Sequence, residues 1–303
     1  MNEVLEQISK TGIVPVIALD DAKDAEPLAG ALCRGGLPCA EVTFRTAAAE
    51  ESIRIMAKNF PDMLVGAGTV LTTEQADRAA AAGAKFIVSP GLNPKVVKHC
   101  QDKGIPVLPG CATPTEIEQA LDLGLDTVKF FPAEAAGGLA MIKAMSAPYT
   151  AVKFMPTGGI NANNLNEYLS FGKIIACGGS WMVKKDLVAA GDFDGITALT
   201  RQAVTKMLGF AVEHIGVSRG YEEIGSLLGS GFGIDSGVTV TGADRGTSGE
   251  ITVSTNFIER AVYHLGLRGI HTDTSTEQRE KGRLVSVGLA GEYGGFAVRL
   301  IQK

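Results

Sequence analysis

A chain of 303 residues, 45% hydrophobic and 20% charged with a formal net charge of −5, is long enough for two domains or for one barrel with an appendage, and apolar enough to bury a large core. The mild acidity and scattered cations exclude the basic stripe of a nucleic-acid binder, the polar start Met1 to Lys10 lacks a signal-peptide core, and no apolar stretch is long enough to span a bilayer. The five cysteines Cys33, Cys39, Cys100, Cys111 and Cys177 are odd in number and never form a C-x-x-C pair, which predicts a reduced, cytoplasmic setting.

From the N-terminus, short apolar runs alternate with longer, alanine-rich amphipathic stretches. The runs predict strands at Ile13 to Leu19, Ala40 to Phe44, Met63 to Ala67, Lys85 to Ser89, Pro106 to Leu108, Thr127 to Phe131, Ala151 to Met155 and Ile174 to Cys177. Between them, helices are predicted at Ala22 to Arg34, Ala47 to Asn59, Thr73 to Ala82, Pro94 to Lys103, Pro114 to Leu123, Leu139 to Met145 and Asn163 to Ser170. Several open on Thr, Asn or Pro and close near Gly, as capping chemistry requires. Strands alternating with helices imply right-handed crossovers and a parallel sheet, and eight repeats in about 180 residues predict closure into an α/β fold of (β/α)8 TIM-barrel type.

Asp126 to Glu134, D-T-V-K-F-F-P-A-E, organises the barrel. Lys129 is flanked by Val128 and Phe130 in a buried strand, and burial disfavours the ammonium form of an amine. A neutral amine adds to a ketone and forms a Schiff base; the plainer reading is a lysine snorkelling from an edge strand. Active sites of such barrels sit at the carboxyl ends of the strands, which here offer Glu41 and Arg45, Gly66 to Thr69, Ser89 to Leu92, Lys129 to Glu134, Pro156 to Ile160 (P-T-G-G-I) and Gly178 to Trp181 (G-G-S-W). The last two read as paired glycine turns, in the positions where barrels commonly bind phosphate, with following helix N-termini adding favourable dipole. Glu41 is costly on an inner strand unless paired or employed. It is either an ion-pair partner of Arg45 or Lys129 or a proton shuttle beside the amine. Arg45 offers a planar fork for a substrate carboxylate, and Thr69 either a hydroxyl to the same group or a strand-end cap. A metal-dependent route to the same carbonyl chemistry would need a cluster of ligands, whereas the barrel region has one histidine, His99, read as a surface residue; no metal and no cofactor is predicted.

The motifs E-V-T-F-R-T at Glu41 to Thr46, G-A-G-T-V-L at Gly66 to Leu71, S-P-G-L at Ser89 to Leu92, K-F-F-P-A-E at Lys129 to Glu134, P-T-G-G-I and G-G-S-W resemble the KDPG/KHG aldolases, over roughly residues 1 to 206. These are the 2-keto-3-deoxy-6-phosphogluconate (KDPG) and 4-hydroxy-2-oxoglutarate (KHG) aldolases. The resemblance implies a homotrimeric class I aldolase of carbohydrate metabolism, acting on a small phosphorylated keto acid and releasing pyruvate. It implies Lys129 as the Schiff-base lysine and Glu41 as the acid/base. Arg45, Thr69 and Pro90 would line the pyruvate half, and Thr157, Gly158, Gly159, Gly178, Gly179 and Ser180 would hold the distal hydroxyls and phosphate. The rival reading is a non-catalytic barrel that binds a phosphorylated ligand while the C-terminal part carries the function.

From residue 207 to 303 the composition shifts: no cysteine, and Gly, Ser, Thr and Asp concentrated at Gly229 to Gly237 and Thr241 to Gly249, read as loops or turns. Strands are predicted at Ala211 to Val217, Val238 to Thr241, Ile251 to Ser254, Arg268 to Thr272, Leu284 to Leu289 and Phe296 to Ile301, with helices at Tyr221 to Leu228 and Asn256 to Leu265. The β-α-β order, E-H-I-G-V at Glu213 to Val217 and F-I-E-R-A-V-Y-H-L-G-L at Phe257 to Leu267 resemble the glyoxalase-like, or vicinal-oxygen-chelate, superfamily. Such proteins pair two β-α-β-β-β modules and draw metal ligands from first and last strands. The first module here is short of strands, and Ile251, Val253 and Ser254 stand where a histidine would be wanted. His214, alone or with His271 or Glu292, is the candidate ligand, against a structural histidine; His264 reads as structural. The segment is predicted to be an α+β accessory domain that aids assembly or binds an unidentified ligand.

Overall fold

The computed structural model describes residues 2–219, 239–242 and 246–303, and the chain divides into two compact units, Met1–Lys206 and Met207–Lys303. In the first unit β1 (Ile13–Ile17), β2 (Cys39–Thr43), β3 (Leu64–Gly68), β4 (Ile87–Val88), β5 (Val107–Leu108), β6 (Thr127–Phe130), β7 (Lys153–Pro156) and β8 (Cys177–Gly179) pair in parallel. Six are hydrogen-bonded in the order β5-β4-β3-β2-β1-β8, and β6 and β7 form a second strip. Single bridges close the ring: Gly110 to Lys129 joins the end of β5 to β6, while Phe154 to Ile174 and Thr157 to Gly178 join β7 to β8. The result is a (β/α)8 barrel whose strands all point the same way, so their carboxyl ends share one face.

The helices are α1 (Glu3–Thr11), α2 (Ala25–Arg34), α3 (Ala49–Asn59), α4 (Thr73–Ala82), α5 (Pro94–Asp102), α6 (Pro114–Asp122), α7 (Gly138–Ser146), α8 (Leu165–Leu169), α9 (Lys185–Ala189) and α10 (Phe193–Leu208). Their starts follow from side-chain chemistry. The Thr72 hydroxyl accepts from the N–H of Gln75, Asn93 caps the Pro94 start, and Thr113 and Glu116 form a reciprocal capping box. The amphipathic helix α1 was not predicted from the polar start. Asn2 caps it, and Val4, Leu5 and Ile8 join the core cluster of Val14, Cys39, Leu64, Phe86, Leu108 and Met155. Cys39 and Leu64 are the first residues of β2 and β3, so α1 plugs the amino end of the barrel.

Three details depart from expectation. The helices α9 and α10 lack predicted counterparts, and β4 and β5 have only two paired residues each. The last strand is also shifted: Ile174 makes only a bridge, and Gly178 and Gly179 lie within β8, opposite Val14 and Pro15. They are therefore strand residues and not a turn. Apolar content placed the strand too early because Ile174, Ile175 and Ala176 are buried in the barrel wall just ahead of it.

In the second unit β9 (Ala211–Val217), β10 (Thr239–Gly242), β11 (Gly249–Thr255), β12 (Thr272–Glu280), β13 (Arg283–Tyr293) and β14 (Phe296–Gln302) form one sheet in the order β10-β9-β11-β14-β13-β12. The helix α11 (Ile258–Gly266) presents Ile258, Val262 and Leu265 to Leu284, Val287, Leu289 and Leu300. Of the strand predicted at Arg268 to Thr272, only Thr272 is in a strand, as the first residue of β12; Arg268 to Ile270 form a helix-ending turn. The N–H groups of Arg268, Gly269 and Ile270 donate back to Leu265 and Gly266, and Gly269 takes φ +74°. The strand that follows, β12, is polar throughout and lies at the sheet edge, so no apolar alternation announced it. The helix predicted at Tyr221 to Leu228 and the loop at Gly229 to Gly237 lie outside the described residues.

Candidate active site

Lys129 sits in the middle of β6, opposite Met155 of β7, with its N–H and carbonyl bonded to Pro109 and Cys111 on the other side. That backbone is paired on both flanks, so the side chain points into the barrel and is 5% exposed. Glu41 lies on β2 between Val16 of β1 and Gly66 of β3, and it is fully buried. Across the interior the Lys129 Nζ donates to Glu41 Oε1 at 3.3 Å. The amine also stands 5.3 Å from the centroid of the Phe131 ring, a partly exposed aromatic. Glu41 Oε2 has no hydrogen-bond partner among the described residues. Buried carboxylate oxygens are seldom left so, which marks this one as a place for a water or a substrate group.

Glycines make the room. A Cβ on Gly68 would stand 2.0 Å from Glu41 Oε1, so the carboxylate occupies the volume that any other residue would need. Likewise a Cβ on Gly110 would meet the carbonyl of Pro90 at 2.0 Å, and one on Gly178 would meet Thr157 Oγ1 at 2.3 Å. Sequence reasoning singled out neither Gly68 nor Gly110 as a spacer. The signal was their place one residue before Thr69 and one before Cys111, at strand ends facing the site.

The remaining sequence-predicted residues fall on the same face. Arg45 is exposed just beyond β2, and its Nε donates to Thr43 Oγ1 at 3.1 Å, while Thr43 itself donates to the carbonyl of Ile17. Thr69 follows β3 with φ +55°, a left-handed conformation that costs a β-branched residue about 1–2 kcal/mol. Pro90 follows β4, its carbonyl packed over Gly110. After β7, Gly158 and Gly159 turn with φ +102° and +85°, as the paired-glycine reading requires. The helix that follows, α8, is only five residues long, so little dipole backs this turn. Thr157 is buried and its Oγ1 has no partner among the described residues. Gly178 and Gly179 are buried in β8, and Ser180 is exposed beside Trp181.

His99 lies on the outer helix α5, partly exposed as expected of a surface residue, and is engaged there. Its Nε2 lies 2.8 Å from Asp77 Oδ1, which Lys103 also approaches at 3.0 Å, and these partners hold the Asp77 carboxyl below its usual range. In the second unit, β11 and β14 lie between His214 on β9 and Glu292 on β13, and Glu292 accepts from the N–H and hydroxyl of Thr247. Among the described residues no group of three or more His, Cys, Asp or Glu side chains is placed to hold a metal ion.

The profile of the KDPG and KHG aldolase family matches residues 4–199. The chain belongs to the KDPG and KHG aldolase family. A 2-dehydro-3-deoxy-phosphogluconate aldolase of Treponema pallidum is 53% identical over 204 residues, 67% of this chain and 97% of its own. The KHG/KDPG aldolase of Escherichia coli K12 is 44% identical over 200 residues, 66% of this chain and 94% of its own. Among solved structures, the KDPG aldolase of Legionella pneumophila superposes with a TM-score of 0.65 at 40% identity, covering 67% of this chain and 98% of its own; pyruvate was captured in it at low pH as a covalent carbinolamine intermediate.

Proposed function

We propose that the barrel is a class I aldolase that cleaves 2-keto-3-deoxy-6-phosphogluconate to pyruvate and glyceraldehyde 3-phosphate, and also 4-hydroxy-2-oxoglutarate to pyruvate and glyoxylate. The observation that carries this reading is the buried amine of Lys129 held 3.3 Å from a buried carboxylate with one unengaged oxygen. Lys129 Nζ attacks the C2 ketone, and Glu41 moves the protons that turn the carbinolamine into an iminium and water. The iminium draws electrons from the C3–C4 bond. Glu41, directly or through water, takes the C4 hydroxyl proton as that bond breaks, and the aldehyde leaves. The enamine left on Lys129 gains a proton at C3, and water hydrolyses the resulting imine to pyruvate and free lysine.

In this reading Arg45 and Thr69 bind the keto acid's carboxylate and Pro90 closes that end of the pocket. Thr157, Gly158, Gly159, Gly178, Gly179 and Ser180 receive the distal hydroxyls and the phosphate. Gly178 and Gly179 contribute by lacking side chains, since the Thr157 hydroxyl occupies the place of a Cβ at Gly178 and the Trp181 ring that at Gly179. Thr157 can hydrogen-bond near the hydroxyl that distinguishes the galactonate epimer, which favours the gluconate substrate by a few kcal/mol at most. The enzyme works as a homotrimer in the cytoplasm, a setting that agrees with five unpaired cysteines; among the described residues no helix is long and apolar enough to cross a membrane. The second unit is an accessory domain. Pyruvate release from the phosphogluconate substrate, its galactonate epimer and 4-hydroxy-2-oxoglutarate tests the assignment. The phosphorylated gluconate substrate should give the highest kcat/KM, and absence of pyruvate from all three would refute the lyase.

A further inference from the structure

Glu134, the last residue of K-F-F-P-A-E, has no part in the chemistry above, yet its Oε1 accepts a hydrogen bond from the phenol of Tyr168 on α8. Tyr168 is 1% exposed. Its proton is held more firmly than in an ordinary phenol, first because it is buried and then because it faces the Glu134 carboxylate. The backbones of the two loops are already stitched: Ala133 N–H donates to the carbonyl of Thr157 at 2.8 Å and Glu134 N–H to that of Gly158 at 3.0 Å. The aliphatic part of Glu134 lies against the glycine turn, where a Cβ on Gly159 would stand 2.5 Å from Glu134 Cγ. A Cβ on Gly138 would stand 3.2 Å from the phenol oxygen and 3.3 Å from Glu134 Oε1. The pair is thus packed between two positive-φ glycines, Gly138 and Gly159.

Glu134 and Gly159 are both exposed, yet a carboxylate directly beside a turn that receives a phosphate is still a liability, because like charges at so short a range repel even in contact with water. Tyr168 removes it by donating into the carboxylate and fixing its direction. We propose that Tyr168 and Glu134 are a positioning pair: the phenol holds the Glu134 carboxylate away from the Gly158–Gly159 turn, and Glu134 holds that turn in the shape that accepts a phosphate. The proposal rests on reading the turn as the phosphate end of the site. Neither residue contacts Lys129 or Glu41 in any hydrogen bond or ion pair of the structure, so the effect is confined to substrates that carry the distal phosphate.

The test is KM and kcat for the phosphogluconate substrate and for unphosphorylated 4-hydroxy-2-oxoglutarate, in wild type, Tyr168→Phe and the double variant Tyr168→Phe/Glu134→Gln. Tyr168→Phe should raise KM for the phosphorylated substrate about tenfold, the scale of one lost hydrogen bond plus an unmasked charge, with kcat and the unphosphorylated reaction unchanged. Removing the charge in the double variant should restore most of that affinity, which a merely structural tie would not do. Equal losses on both substrates, no change in KM, or no recovery in the double variant overturns the pair. If Tyr168→Phe does not fold, Glu134→Ala is read the same way: a loss restricted to the phosphorylated substrate supports the proposal, and an equal loss overturns it. Should wild type itself show no preference for the phosphorylated substrate, the phosphate-end reading fails and not the pair alone.

Discussion

Lys129 and Glu41 meet across the barrel although 88 positions separate them in the chain, and their meeting depends on residues that do no chemistry. Gly68→Ala would drive a methyl into the carboxylate oxygen that bonds the lysine. We expect that single change to lower kcat by about 10²-fold or more, the scale of lost acid–base catalysis, in a protein that still folds by circular dichroism. Thr69 poses the opposite case, a residue in a strained backbone conformation. Replacing it with glycine relieves about 1 kcal/mol of left-handed strain and adds a similar unfolded-state entropy. Denaturation midpoints should therefore barely move while KM rises through loss of the hydroxyl. At this scale the meeting of Lys129 with Glu41 was legible in the sequence, because charged groups on apolar strands stand out. Gly68 and the bond from Tyr168 to Glu134 were not, since a spacer and a contact between two loops have no local signature.

Among the elements, the eight-strand pattern was legible because each buried parallel strand is a continuous apolar run. The same property misplaced β8, where glycines finish the strand and isoleucines precede it, and it hid β12, whose T-D-T-S-T-E-Q-R-E has no apolar face. The plug helix α1 escaped notice because its apolar face is only Val4, Leu5 and Ile8 amid charges. Ile8→Ala should cost about 2–4 kcal/mol by opening a cavity in a fully buried cluster, read as a lowered urea midpoint at constant m. Activity per folded molecule should persist, because α1 covers the end of the barrel opposite the site.

For the whole molecule, the buried cysteines make stability fall at alkaline pH. Burial pushes the thiols of Cys39 and Cys111 up to about 12 and that of Cys100 up to about 11, against an ordinary 9.0. Below pH 9 folded and unfolded chains both keep these protons, so their contribution is fully present. Above it the unfolded chain loses protons first, and stability falls as pH rises toward 12. The melting temperature should decline steadily above pH 9, and Cys39→Ala should flatten part of that decline. The division after Lys206 leads to a further expectation: a chain truncated after Gly209 keeps the lyase activity, with kcat/KM within about twofold of the full protein. A shift in composition near residue 207 was visible in the sequence, but the order of strands in the second unit was not, because register and pairing are set by contacts distant along the chain. The central claim is that Lys129 forms the covalent bond to substrate, and reductive trapping tests it most directly. Borohydride added with pyruvate should fix one lactyl-sized mass on the peptide containing Lys129 and abolish turnover in proportion. Trapping at another lysine, or full activity in Lys129→Met, would contradict it.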